Sequence, residues 1–170
     1  SLLKILDNRP QVISPETAYQ VTSLLEGAVK RGTGKKLRVL EVPLAGKTGT
    51  TNDNYDAWFI GFTSNLVIGV YIGYDDPKSL GKYETGSKVA LPVFKKFVET
   101  ALYKEDFKPF KVPSGIYFYP VNYDTGEISN FDNRKSILES FKENSSKTIK
   151  LKNLNFGQNY GKSLKFKGFY

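Results

Sequence analysis

The sequence predicts an α+β fold in which an antiparallel sheet is packed by helices. Apolar residues recur at helical spacing in two separated stretches, one near the start and one in the middle of the chain. Between them lie three short runs rich in β-branched and aromatic residues. The turns joining these runs are too short for a crossover, so neighbouring strands must run antiparallel. A chain of 170 residues, 39% of them hydrophobic, is long enough for one ordinary core.

The first helix starts at Ser14, a good N-cap, with Pro15 at the first helical position and Glu16 at the positive end of the dipole. Ala18, Val21, Leu24, Leu25 and Ala28 follow at helical spacing, and Gly32-Thr33-Gly34 stops the helix. A short basic loop with Lys35, Lys36 and Arg38 reads as solvated. Strands are predicted over 44–51, 56–62 and 66–74, turning at Asn52-Asp53-Asn54 and at Thr63-Ser64-Asn65. The third is apolar on both faces, the pattern of a central strand covered by helices. Trp58 and Tyr74 need no ligand to explain them and are expected to pack within the sheet or on its surface.

Asp75-Asp76-Pro77 ends the sheet, and a polar, Gly-containing loop runs to Ser87. The second helix is predicted over 88–103, with Val89, Val93, Phe97 and Ala101 or Leu102 inward. Pro92 falls near its first turn, where a missing N–H costs least. A hairpin follows, with strands over 116–123 and 127–131 turned at Asp124-Thr125-Gly126. Beyond Asp132 the chain is rich in Lys, Asn and Ser and is expected to be mostly disordered, apart from a weak helical pattern at 137–142.

Composition excludes several chemistries. With no His and no Cys, neither a Ser-His-Asp nor a Cys-His system can be assembled, nor a zinc site of the usual ligands. No metal and no cofactor is expected, and acid–base work falls to Lys, Asp, Glu or Tyr. No run of 18 apolar residues is present. The sequence opens at Ser1 without Met or a signal peptide, and the expectation is a processed or excised piece of a longer polypeptide. The charge is uneven: residues 1–131 carry 16 basic and 14 acidic side chains, residues 132–170 carry 9 and 3. The basicity therefore belongs to the tail. There Lys150, Lys152, Lys162, Lys165 and Lys167 alternate with Phe156, Tyr160, Phe166 and Phe169. Such interleaving can bind single-stranded nucleic acid or an anionic membrane. A solvated extension is the simpler reading, and nucleic acid is not the expected partner.

The run Ala45-Gly46-Lys47-Thr48-Gly49-Thr50-Thr51 carries the chemistry. Lys47 brings a positive charge. Thr48 and Thr50 bring hydroxyls able to bind a carboxylate. Gly49 lets a substrate backbone approach the strand, and the Thr50 amide can serve an oxyanion hole. Lys-Thr-Gly is one of three motifs of penicillin-binding proteins and serine β-lactamases. The others, Ser-x-x-Lys with the nucleophile and Ser-x-Asn, have no convincing match. Ser1-Leu2-Leu3-Lys4 sits at the chain start with no Ser-x-Asn before Lys47. Ser79-Leu80-Gly81-Lys82 follows the motif, in a loop broken by Pro77 and Gly81. Neither is expected to be acylated.

The stretches Val12-Ile13-Ser14-Pro15-Glu16-Thr17-Ala18-Tyr19, Gly32-Thr33-Gly34, the Lys47 run, Asp56-Ala57-Trp58-Phe59-Ile60-Gly61-Phe62-Thr63 and Val70-Tyr71-Ile72-Gly73-Tyr74-Asp75 occur in order. Together they resemble the C-terminal half of the transpeptidase domain of class A penicillin-binding proteins, the bifunctional peptidoglycan synthases. The resemblance covers roughly residues 6–131, and Val112-Pro113-Ser114-Gly115 with the Asp124-Thr125-Gly126 turn also resembles the end of class A members. It implies three regions: 1–111 as the C-terminal half of the transpeptidase domain, 112–131 as a hairpin extension, and 132–170 as a basic tail. It further implies D,D-transpeptidation, with stem peptides ending in D-Ala-D-Ala and β-lactams as ligands. Lys47 is then the catalytic-site lysine, and Lys47, Thr48, Gly49 and Thr50 bind substrate. The missing N-terminal half of the same protein would be a partner and carry the serine. The location implied is the outer side of the bacterial cytoplasmic membrane, anchored by a segment not in this chain. The isolated chain is expected to be inactive and to expose sheet surface. The competing reading is a non-catalytic remnant or scaffold contacting peptidoglycan or another polyanion.

Overall fold

The computed structural model describes residues 10–102, 106–130 and 133–143. Helix α1 (Pro15–Lys30) begins where its cap dictates: Ser14 Oγ accepts from Thr17 N at 3.3 Å, and Pro15 occupies the first turn. The Ser14 hydroxyl, together with the backbone amide of Glu16, holds the Glu16 carboxyl below its usual range. Val29 is the one buried residue of α1, whereas Val21 and Leu24 are exposed. The helix closes through Arg31 N on Gly27 O and Gly32 N on Ala28 O. The basic loop is a 3₁₀ helix, Lys35–Leu40, that buries Leu37 and leaves Lys35, Lys36 and Arg38 exposed.

Strands β1 (Ala45–Thr50), β2 (Ala57–Phe62) and β3 (Val67–Ile72) form the predicted antiparallel meander in the order β1-β2-β3. Lys47 stands opposite Ile60, Gly49 opposite Trp58, and Trp58 opposite Tyr71. Side chains alternate across the pleat. One face presents Phe59, Ile68, Val70 and Ile72 to helix α2 (Ala90–Ala101) and the core. The opposite face carries Trp58, Ile60, Val67 and Tyr71, all exposed. Trp58 and Tyr71 stack there with ring centres 4.6 Å apart, so Trp58 packs on the sheet surface as expected. Tyr74 is exposed as well, with the Lys78 ammonium 4.0 Å from its ring centre. The expectation of a central third strand is corrected. Among the described residues β3 is an edge strand, and its outward residues are uncovered.

The predicted inward face of the second helix is also corrected. Ala90, Leu91, Phe94 and Val98 are buried, whereas Val93 and Phe97 are exposed. Both sets satisfy helical spacing, so periodicity alone could not choose between them. The choice is made by the sheet. A Cβ on Gly61 would lie 2.6 Å from Phe94 Cζ, so the bare Gly61 makes the seat into which the Phe94 ring fits. There Phe94 meets Phe59 edge-on at 4.8 Å, and both are fully buried.

The C-terminal segment departs most from expectation. The turn forms: Asn122 Oδ1 accepts from Asp124 N and Thr125 N, and Gly126 takes φ +71°. Among the described residues the return run then pairs only through the bridge Val121–Ile128. Ser129 N donates to Pro120 O at 3.0 Å, but Pro120 has no N–H with which to return the bond, and the ladder stops. Strand β4 (Ile116–Asn122) pairs instead with β5 (Ser136–Lys142), Ile116 opposite Lys142 through Asn122 opposite Ser136. The weak helical pattern at 137–142 is thus a strand, and the expectation of disorder fails for 133–143. So short a helix has little stability in isolation, while seven residues on the free side of β4 had ladder positions to offer. The expectations for Ser1 to Lys4, for Tyr103 and Phe131, and for the tail from residue 144 fall outside the described residues. Among the described residues no helix is long and apolar enough to cross a membrane.

The helix face can be tested. Phe94→Ala should cost about 3–5 kcal/mol in urea unfolding. Val93→Ala should stay within roughly 0.5 kcal/mol. The reverse order would restore the face that periodicity suggested.

Candidate functional site

Strand β1 holds the Lys47-Thr48-Gly49-Thr50 run at what is, among the described residues, a free edge of the sheet. Thr51 N donates to Asp56 O at 3.1 Å, just beyond the strand ends. Antiparallel pairs alternate between bonded and non-bonded, so Gly49–Trp58 and Lys47–Ile60 are the bonded pairs. The backbone N–H and C=O of Thr48 and Thr50 then point away from β2, towards the open edge. Two polar residues thereby offer the ladder groups an extended ligand would need.

The side chains are arranged around that edge. Lys47 folds along the strand, with Nζ donating to Thr48 O at 3.1 Å and lying 3.4 Å from Thr48 Oγ1. The Thr48 hydroxyl meets the Thr33 hydroxyl at 3.0 Å. The Thr50 hydroxyl accepts from the buried Gly86 N–H at 3.1 Å. Gly49 is small for a reason beyond ligand approach: a Cβ there would lie 3.2 Å from Trp58 Cβ across the pair. Behind the strand, a Cβ on Gly86 would lie 2.3 Å from Trp58 O and 2.6 Å from Gly49 O. Backbone rests on backbone at this point, leaving no room for any side chain.

All four residues expected at the site are therefore on one edge. Sequence reasoning missed Thr33 and Gly86. Thr33 was visible only as the middle of a helix stop, and Gly86 as part of a polar loop. The small-residue triads Gly32-Thr33-Gly34 and Thr85-Gly86-Ser87 were the available signal, because close backbone approach needs small residues.

Ser79 and Lys82 do not make a nucleophile pair. Ser79 Oγ donates to Asp53 O at 2.6 Å and accepts from Gly81 N, while the Lys82 ammonium lies over the Tyr83 ring. Among the described residues no cluster of acidic side chains could hold a metal. Two open grooves flank α1. One of about 630 Å³ is lined by Tyr19, Phe110 and Pro113 among others, and one of about 450 Å³ by Gln20, Tyr123 and Phe141 among others. Neither includes Lys47, Thr48, Gly49 or Thr50.

The turn after β1 is anchored by Asp56, whose N donates to Thr51 Oγ1 at 2.7 Å and whose Oδ1 accepts from Tyr71 Oη at 2.9 Å. That hydrogen bond, with the charges of Asp56 and Asp75 adding, raises the Tyr71 phenol above its ordinary range. A raised folded value favours the native state below the ordinary tyrosine range, and the contribution is lost as pH climbs through the folded value. Asp56→Asn should return the Tyr71 titration towards its usual position, followed by the ring carbon shifts in NMR. An unmoved titration would mean the bond is absent in solution.

Comparison with known proteins gives a consistent family. The family described as "Penicillin binding protein transpeptidase domain" matches residues 6–99. The chain is 45% identical over 134 residues to penicillin-binding protein 1A of Rickettsia conorii, covering 79% of this chain and 17% of that protein. It is 43% identical over 111 residues to penicillin-binding protein 1A of Neisseria flavescens, covering 65% of this chain and 14% of that protein. A crystal structure of penicillin-binding protein 1A from Haemophilus influenzae superposes with a TM-score of 0.68 at 33% identity, over 78% of this chain and 21% of that one. The chain thus spans less than a fifth of the length of these two sequence relatives.

Proposed function

Because the chain belongs to the penicillin-binding protein transpeptidase family, we propose that it supplies the substrate-binding strand of a peptidoglycan D,D-transpeptidase. The observation that carries this reading is the free edge of β1, where the backbone groups of Thr48 and Thr50 and the Lys47 ammonium lie side by side. A stem peptide ending in D-Ala-D-Ala would lie along this edge as an added strand. Its terminal carboxylate would take hydrogen bonds from the Thr48 and Thr50 hydroxyls and charge from Lys47. Gly49 leaves the strand surface bare where the peptide backbone comes closest.

The reaction needs a serine from a segment outside this chain. Its Oγ attacks the penultimate D-Ala carbonyl carbon, and the Thr50 N–H stabilises the oxygen that becomes negative. The amide C–N bond breaks as the serine proton passes to its nitrogen, and the terminal D-Ala leaves as the free amine. An amine of a neighbouring peptidoglycan strand then attacks the acyl carbon, breaking the ester C–O bond and returning a proton to the serine oxygen. β-Lactams would enter by mimicking the D-Ala-D-Ala end. The exposed residues Trp58, Ile60, Val67 and Tyr71 and the free edge of β3 form surface that the rest of the domain would cover. The assembled protein would work at the outer side of the cytoplasmic membrane, held by a segment outside this chain.

Titration of the ¹⁵N-labelled chain with diacetyl-Lys-D-Ala-D-Ala should move the Thr48, Gly49 and Thr50 amides. Lys47→Ala should weaken that binding by about tenfold, as loss of a charged hydrogen-bond donor does. Equal binding of the C-terminally amidated peptide would remove the carboxylate from the reading. Incubation with penicillin should leave the intact mass unchanged; an adduct on any serine would place the nucleophile within this chain.

A further inference from the structure

Residues 79–86 form a strap that returns from the sheet across the end of β1. Ser79 Oγ donates to Asp53 O at 2.6 Å, Leu80 N to Asn54 O at 2.9 Å, and Asn54 Nδ2 to Gly81 O at 3.1 Å. At its far end the strap runs into α2: Val89 N bonds Thr85 O, while Ala90 N and Leu91 N bond Gly86 O. Gly86 is therefore fixed from both sides, and it lies flat on the bonded Gly49–Trp58 pair with no room for a Cβ. Its N–H points at Thr50 Oγ1.

We propose that Gly86 is a positioning residue that holds the Thr50 hydroxyl with its proton free for a ligand acceptor at the open edge, and so strengthens the hold of the site on a carboxylate. A hydroxyl has one proton and two lone pairs. The Gly86 N–H occupies one lone pair, so the proton turns away from Gly86 and shares the two remaining directions with the second lone pair. Among the described residues no acceptor takes that proton. Accepting one bond also polarises the O–H and strengthens the bond it donates. The amide of Gly86 thus acts on the ligand through Thr50 without touching it. The inference rests on the carboxylate reading of Lys47, Thr48, Gly49 and Thr50 and adds the group that orders their outermost hydroxyl.

The test uses the whole chain and diacetyl-Lys-D-Ala-D-Ala, followed by ¹⁵N–¹H NMR. On binding, the buried Gly86 amide proton should move downfield, because Thr50 Oγ1 becomes a better acceptor when it donates to a carboxylate. Thr50→Ser should keep that shift and hold affinity within about twofold, whereas Thr50→Val should lose the shift and about tenfold in affinity. Gly86→Ala, if it folds, should weaken binding with the Thr50 hydroxyl still present. A wild-type chain that binds the peptide with the Gly86 amide unmoved, or a Thr50→Val chain that binds as tightly as wild type, overturns this inference and leaves the carboxylate site standing. No shift at Thr48 or Thr50 in the wild type overturns the carboxylate site and this inference with it.

Discussion

The seating of the Phe94 ring on the bare Cα of Gly61 is the contact on which the rest of the arrangement depends. It fixes the rotation of α2 about its axis, because the ring fits where Gly61 has no Cβ. Protein interiors are packed to crystal density, so a helix locked at one such point cannot slide by fractions of a residue. The turn that leads into α2 starts at Thr85 and Gly86, whose carbonyls accept from Val89, Ala90 and Leu91. Locking the helix therefore locks Gly86 against the Gly49–Trp58 pair. Core packing and the binding edge are linked through a few residues, with no flexible joint between them.

The two faces of the sheet have unequal status. The face towards α2 is closed by Phe59, Val70 and Ile72, with Leu91 and Val98 opposite. The outward face keeps a stacked Trp58–Tyr71 pair, Ile60 and Val67 in water. Together these residues expose apolar side chains on one sheet face, as interfaces do. That fits a chain spanning 17% of a relative such as the Rickettsia conorii protein. The strand with the recognisable motif is at one edge, and the uncovered face lies beside it.

Much of this was legible in sequence because it is local. The Ser14 cap, Pro15 and the short polar turns each act within four or five residues, and the structure has the helix start and the meander where they put them. The Lys47-Thr48-Gly49-Thr50 edge was legible for a different reason, as a resemblance carried by several ordered motifs. What could not be read depends on distant partners. The two candidate faces of α2 differ only in which one meets Gly61, about thirty residues earlier in the chain. Strand β5 exists because β4 had an unfilled side, and Pro120 closes the other one. Thr33 and Gly86 gain meaning only from Thr48 and Thr50, 15 and 36 residues away.

Among the described residues, contacts between the α1 region and β5 reach far along the chain. Gln20 Nε2 donates to Ser140 O across 120 residues, Lys142 Nζ to Thr17 Oγ1 across 125, and Arg31 pairs with Glu139 across 108. On a ribosome the helix is made long before its lateral support exists. Closing loops of that length has an entropic cost, so non-local pairings of this sort slow folding. Until residue 142 has been synthesised, α1 can hold its cap and its contact with β1 but not its outer flank. The order of synthesis thus runs opposite to the order in which the helix is secured, and the last strand described is what completes the first helix.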